Sequence, residues 1–342
     1  KKPEATVVKK DAYSTTTQNT DGTYTAKIHS LPIHYKDNPS DPKEEWKDID
    51  TMITKSTKPG YDWEMTKAPQ KIFFKNNLQS DKAILFEKNG SSLTLGSPAL
   101  IWRQGEKQAR AKEASDSNPN VEGNKIFWPT LFGQGFSLKY TIDQSLGVKE
   151  EWGIATKSSL PAAPSFIYTE NPDASLDMEF LFDYSEGLKL YVGGEAWDEK
   201  PTELEFPRGI EIRNTKGETI WSFAPPVIVD KGRESNNSLR LSYILSKTSE
   251  DKLALKIPLP YQFLSTSSFP IVIDPSINPP GTNKVIEAQT HSTSHNHGGT
   301  FFTHNGTYKP INDAGFNWSY DALWWTPPTY PAVHVGQSHF IS

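Results

Sequence analysis

Short runs of alternating apolar and polar residues, each closed by a turn signal, constrain this chain more than any other feature. Phe136-Ser137-Leu138-Lys139-Tyr140-Thr141-Ile142 and Val148-Lys149-Glu150-Glu151-Trp152-Gly153-Ile154 are two such runs across a Gly-containing turn. A period of two is that of a strand with one buried face. Ala83-Ile84-Leu85-Phe86-Glu87 and Ser92-Leu93-Thr94-Leu95 flank Asn89-Gly90, a dipeptide suited to a tight hairpin. Similar runs recur at Met178-Glu179-Phe180-Leu181-Phe182, Ile210-Glu211-Ile212-Arg213 and Leu253-Ala254-Leu255-Lys256-Ile257. The 26 Pro and 22 Gly are spread along the chain and read as punctuation between strands. The predicted fold is all-β: two consecutive antiparallel β-sandwich-like domains, at 23–157 and 165–277, plus a small aromatic/His-rich C-terminal module at 282–342. The Ser/Pro/Ala-rich run 158–164 marks the expected boundary between the sandwiches. Residues 1–22, polar and Thr-rich, are expected to form an extended arm. The charged stretch 103–124 reads as a loop or a short helix.

Composition narrows the function classes. Hydrophobic residues make up 35% of the 342, yet there are 10 Trp and 17 Phe. Few aliphatics and many aromatic wedges suit thin sandwiches with a large polar outer surface. The absence of Cys excludes disulfides, Cys-zinc sites and thiol nucleophiles. A formal net charge of −5 gives no footprint for nucleic acid, and no apolar run approaches the length of a transmembrane segment. There is no G-x-S-x-G elbow, phosphate-binding loop or dinucleotide fingerprint.

Four groups of residues together resemble a known type of region. They are Ile33-His34-Tyr35-Lys36-Asp37 followed by Trp46-Lys47-Asp48-Ile49-Asp50; Lys67-Ala68-Pro69; Phe136–Ile142 leading into Gly147-Val148-Lys149-Glu150-Glu151; and Phe269-Pro270-Ile271-Val272-Ile273-Asp274-Pro275-Ser276. In this order, over residues 24–277, they resemble the β-rich leader region ahead of DNRLRE-type and Rhs wall-associated repeats in secreted bacterial proteins, and related phage virion structural proteins. The resemblance implies a secreted or surface-displayed, non-catalytic β-sandwich scaffold, extracellular, at the cell surface or in a virion. The expected partners, copies of the chain or other surface or virion subunits, would dock on the N-terminal arm and the C-terminal aromatic segment. The resemblance lends no catalytic residues. The chain departs from the pattern after Pro275, where a DNRLRE-like β domain is expected and 282–342 does not read as one.

The C-terminal module carries the sharpest candidate chemistry. Six of the eight His lie there. In an extended segment His295 and His297 share a face, with His291 an even number of residues away, and His304 or Asp313 could complete a divalent-metal site. The competing reading is a solvated Ser/His/Asn/Gly loop, since no HExxH pattern is present and the spacing fits no standard zinc fold. Trp318, Trp324, Trp325 and Tyr330 are candidates for stacking on a cell-surface glycan, or for an interface with another subunit. The acidic pairs Glu44-Glu45, Asp48/Asp50 and Glu150-Glu151 read as solvated strand faces and turns, Glu150 and Glu151 pointing to opposite sides. The expected function is therefore structural, with no cofactor. The alternatives are a glycan-binding adhesion module and a metal-dependent hydrolase at the His cluster.

Overall fold

The computed structural model describes residues 5–278, apart from 30–31, 40, 144–146, 205–208, 232–236, 249–251 and 276, together with the strands 300–302 and 308–310. The fold is all-β and antiparallel. The chain divides into two compact units, one made of 10–12 and 32–280, the other of 1–9, 13–31 and 281–342.

At the N-terminus β1 (Thr6–Lys10), β2 (Ser14–Gln18) and β3 (Tyr24–Ile28) form a three-stranded sheet in that order. The expected arm at 1–22 is thus corrected: it supplies two strands. Thr-rich runs are good strand formers because a branched Cβ fits the pleat, but they carry no apolar alternation to announce it. Asn19–Thr23 makes the β2–β3 turn, with Gly22 at φ +84°.

The body is a sandwich. Its principal strands, in chain order, are β4 (Gln70–Phe74), β5 (Ile84–Lys88), β6 (Ser91–Gln104), β7 (Lys107–Glu113), β8 (Phe136–Ile142), β9 (Val148–Ile154), β10 (Ala174–Tyr184), β11 (Thr219–Phe223), β12 (Leu253–Pro260) and β13 (Ile271–Asp274). One sheet runs Thr202–Leu204, Tyr243–Lys247, β12, β10, β6, β5, β4, Trp63–Met65 and Thr54–Lys55, with β7 also on β6. The other contains Lys125–Trp128, β8, β9 and β11, with β13 on β9.

Aromatic side chains join the two sheets. Phe74 lies 5.8 Å from Tyr140, and Phe182 lies 5.9 Å from Phe223, ring centre to ring centre. Trp102, Trp128, Trp152 and Trp221 are all fully buried in the same core. Each buried indole needs a partner for its N–H: Trp128 donates to the Asn76 carbonyl at 2.7 Å, and Trp221 to Gln70 Oε1 at 3.0 Å.

Both sheets take strands from either side of 158–164. β6 pairs with β10, Leu93 opposite Tyr184, and β9 pairs with β13, Trp152 opposite Ile273. The two sandwiches expected at 23–157 and 165–277 are therefore one body, and the Ser/Pro/Ala-rich run is the connection from one sheet to the other. The expected loop or helix at 103–124 is also corrected. Gly105, at φ +57°, turns β6 back into β7, a strand whose charged, mostly exposed residues place it on the polar edge. The Asn89-Gly90 hairpin forms as expected, with φ +52° and +78° at the two turn residues, the signs a type I′ turn demands. The β8–β9 hairpin also forms, Phe136 opposite Ile154. In the expected C-terminal module the described residues are Thr300–Phe302 and Tyr308–Pro310, which pair antiparallel.

Candidate functional site

Trp318, Trp324, Trp325, Tyr330, His291, His295, His297 and His304 lie outside the described residues, as does Asp313. Among the described residues no group of three or more His, Asp or Glu is placed to hold a metal ion, and no helix is long and apolar enough to cross a membrane.

The acidic pairs are engaged elsewhere. Glu44 accepts the backbone N–H groups of Asp37 and Asn38 at 2.9 and 2.7 Å, and these bonds, with Lys47, hold its carboxyl below the usual range. Asp48 pairs with Lys10 at 2.6 Å, and Asp50 with Lys67 at 3.1 Å. Burial pushes Glu151 up, but Lys139 and Lys149 outweigh it and hold the group low.

Glu150 departs from the solvated role expected of it. The alternation that sends Val148, Trp152 and Ile154 inward sends Glu150 with them, 1% exposed. The Trp152 indole N–H donates to its Oε1, while Oε2 has no hydrogen-bond partner among the described residues. Burial pushes its pKa up to about 8, against the opposing bonds from Trp152 and Tyr140. At neutral pH the group is mainly the acid, which spares the core an ionised carboxylate. The neighbouring void, about 20 Å³, is lined mainly by apolar side chains such as Leu78, Leu95, Leu138 and Phe180.

A larger cavity, about 530 Å³, opens on the polar face of the first sheet, beside Gln79, Ser97, Arg110, Glu179 and Lys252. Its floor comes from β10, whose core-facing residues Met178 and Phe180 alternate with Asp177 and Glu179 on the other face. The charges are matched. Glu179 pairs with Arg110 at 3.3 Å and Lys256 at 3.2 Å, and Lys252 with Asp81 at 2.6 Å. Lys252 and Ser97 hold the Asp81 carboxyl below its usual range. Ser97, at φ +47°, stands where β6 bulges against β10 and puts its hydroxyl 2.6 Å from Asp81 Oδ1. A side chain at Gly96 would meet the Ser80 carbonyl at 2.0 Å. These contacts clasp the 78–81 loop onto the bulge, so the strained serine is explained by packing.

The N-terminal sheet is different in kind. Five of the eight large hydrophobics exposed among the described residues, Val7, Val8, Tyr13, Tyr24 and Ile28, fall within its span. This concentration makes it the best candidate for a functional surface. Alternation statistics do not reveal it; the observable signal is apolar residues scattered through a Thr-rich stretch. Comparison with protein-family models, curated proteins and solved structures gives no match.

Proposed function

We propose that the chain is a non-enzymatic structural component of an extracellular surface assembly, a virion, fibre or cell-envelope protein acting through interfaces with copies of itself or with other surface subunits. The observation that carries this reading is the apolar exposure of the N-terminal sheet, with Tyr24 at 64% and Ile28 at 69%. A three-stranded sheet of five-residue strands is marginal in water without a covered face, and Tyr24 and Ile28, an even number of residues apart in one strand, leave large apolar side chains on one face for a partner to cover. The matched charges of the large cavity and the enclosure of Glu150 favour scaffold over catalyst. Sedimentation of the full chain across a wide concentration range tests the reading. Self-associated species that revert to monomer when Val8 and Ile28 are both changed to Asp are expected. A chain that stays monomeric throughout, with the double variant indistinguishable from it, would overturn the proposal.

A further inference from the structure

The hydrogen-bond phase of β3 shows which of its backbone groups turn outward. In an antiparallel pair, a residue turns its N–H and C=O either both toward the neighbouring strand or both away, in alternation. The His29 N–H bonds the Tyr13 carbonyl at 2.8 Å, and the Asn19 N–H bonds the Thr23 carbonyl at 2.7 Å. Between these fixed points Thr25 and Lys27 face β2, opposite Thr17 and Thr15. Tyr24, Ala26 and Ile28 therefore turn their backbone groups away from β2, along an edge with no neighbour among the described strands. All five β3 residues are exposed. The strand contains no proline, and no bulge interrupts its pairing with β2, so the usual protections of an edge reduce to Lys27.

We infer that this edge pairs antiparallel with the same edge of a second copy, in the register that sets Ala26 opposite Ala26. The inference rests on the assembly reading above and supplies its partner and contact. Centring on Ala26 is the register that engages the whole strand while matching outward residues with outward residues, at Tyr24/Ile28, Ala26/Ala26 and Ile28/Tyr24. Each facing pair exchanges two backbone bonds. The same register stacks Tyr24 of one copy beside Ile28 of the other on one face, an aromatic–branched pair that stabilises sheets. On the opposite face it sets Lys27 across from Thr25, so the two lysines avoid each other. The result is a two-fold symmetric, continuous six-stranded sheet, with the same patch on both copies.

Ala26→Pro separates this from other modes of association. Its N–H points away from β2, so proline removes an outward donor and no bond of the internal ladder, and the preceding Thr25 is already extended, as proline requires. By sedimentation of the full chain, Ala26→Pro is expected to be monomeric where the parent associates. Thr25→Lys, which places two Lys–Lys pairs across the contact, is expected to weaken association about tenfold, and Thr25→Glu to strengthen it. In the parent, amide exchange at Tyr24, Ala26 and Ile28 is expected to slow as concentration rises. Association that survives Ala26→Pro, with those three amides still exchanging freely, would overturn strand pairing and leave the assembly reading standing. A parent chain monomeric at every concentration would overturn both. Should Ala26→Pro fail to fold, the opposite responses of Thr25→Lys and Thr25→Glu decide the register, and equal responses would overturn it.

Discussion

The sandwich body and the N-terminal sheet are both antiparallel β structure, yet they use it in opposite ways. In the body β8 and β9 alternate in burial residue by residue, and their inward side chains meet another sheet. In the N-terminal sheet β3 is exposed at every position. Alternation alone therefore does not make a core; a second apolar layer does. The contrast predicts very different sensitivities. Trp221→Ala would empty a fully buried site and strand Gln70, itself 2% exposed. Cavity and orphaned amide together should cost about 5 kcal/mol. Tyr24→Ala, at a 64% exposed position, should change monomer stability by less than about 0.5 kcal/mol. Urea midpoints of the two variants measure the contrast, and comparable losses would break it.

Acidity should also divide the regions, by a smaller amount. Glu150 has a folded pKa of about 8 against an ordinary 4.5, so the folded state holds its proton more tightly than the unfolded chain. Its contribution is complete below the unfolded value and is lost as pH rises through the folded one. At about 1.4 kcal/mol per pKa unit, the body should lose on the order of 4 kcal/mol between roughly pH 4.5 and 8. Glu150→Gln, which keeps an acceptor for Trp152, should flatten that slope in urea titrations repeated across the window. In the N-terminal sheet the sign reverses. The side-chain and backbone bonds of Thr23 hold the Asp21 carboxyl below 3.8, so its support is present above that value and lost on acidification. Hairpin amides that gain protection as pH falls through this lower range would contradict the assignment.

What could be read in advance follows the same division. The Asn89-Gly90 and Phe136–Ile154 hairpins were legible because their signals are local: turn residues with the needed φ, and apolar residues at every second position. The single body was not, because the pairing of Leu93 with Tyr184 spans residues whose local patterns say only that each is a strand. The polar β7 edge escaped for want of an apolar phase to detect. The inward Glu150 was available in the β9 alternation, but a carboxylate ordinarily overrides that reading, because burying one is costly without the proton its environment enforces. The N-terminal edge needs hydrogen-bond phase as well as strand identity, and phase is fixed by the Asn19–Thr23 turn.

That turn allows the gentlest test of whether the two regions open independently. Gly22 sits at φ +84°, and a Cβ added there would meet nothing within 4 Å. Gly22→Ala therefore introduces backbone strain without a clash, a penalty of about 1 kcal/mol. The Asn19–Thr23 closure, the Asp21–Thr23 bonds and the β2–β3 ladder all depend on this geometry. Exchange at the hairpin amides that bond across the ladder, such as those of Thr25 and Lys27, should quicken about fivefold. Amides of β9 and β10 should exchange as before, because residues 13–31 and the body belong to different compact units. Equal acceleration in β9 and β10 would mean that the N-terminal sheet unfolds only with the sandwich, and its exposed edge would then have to be understood as part of one cooperative structure.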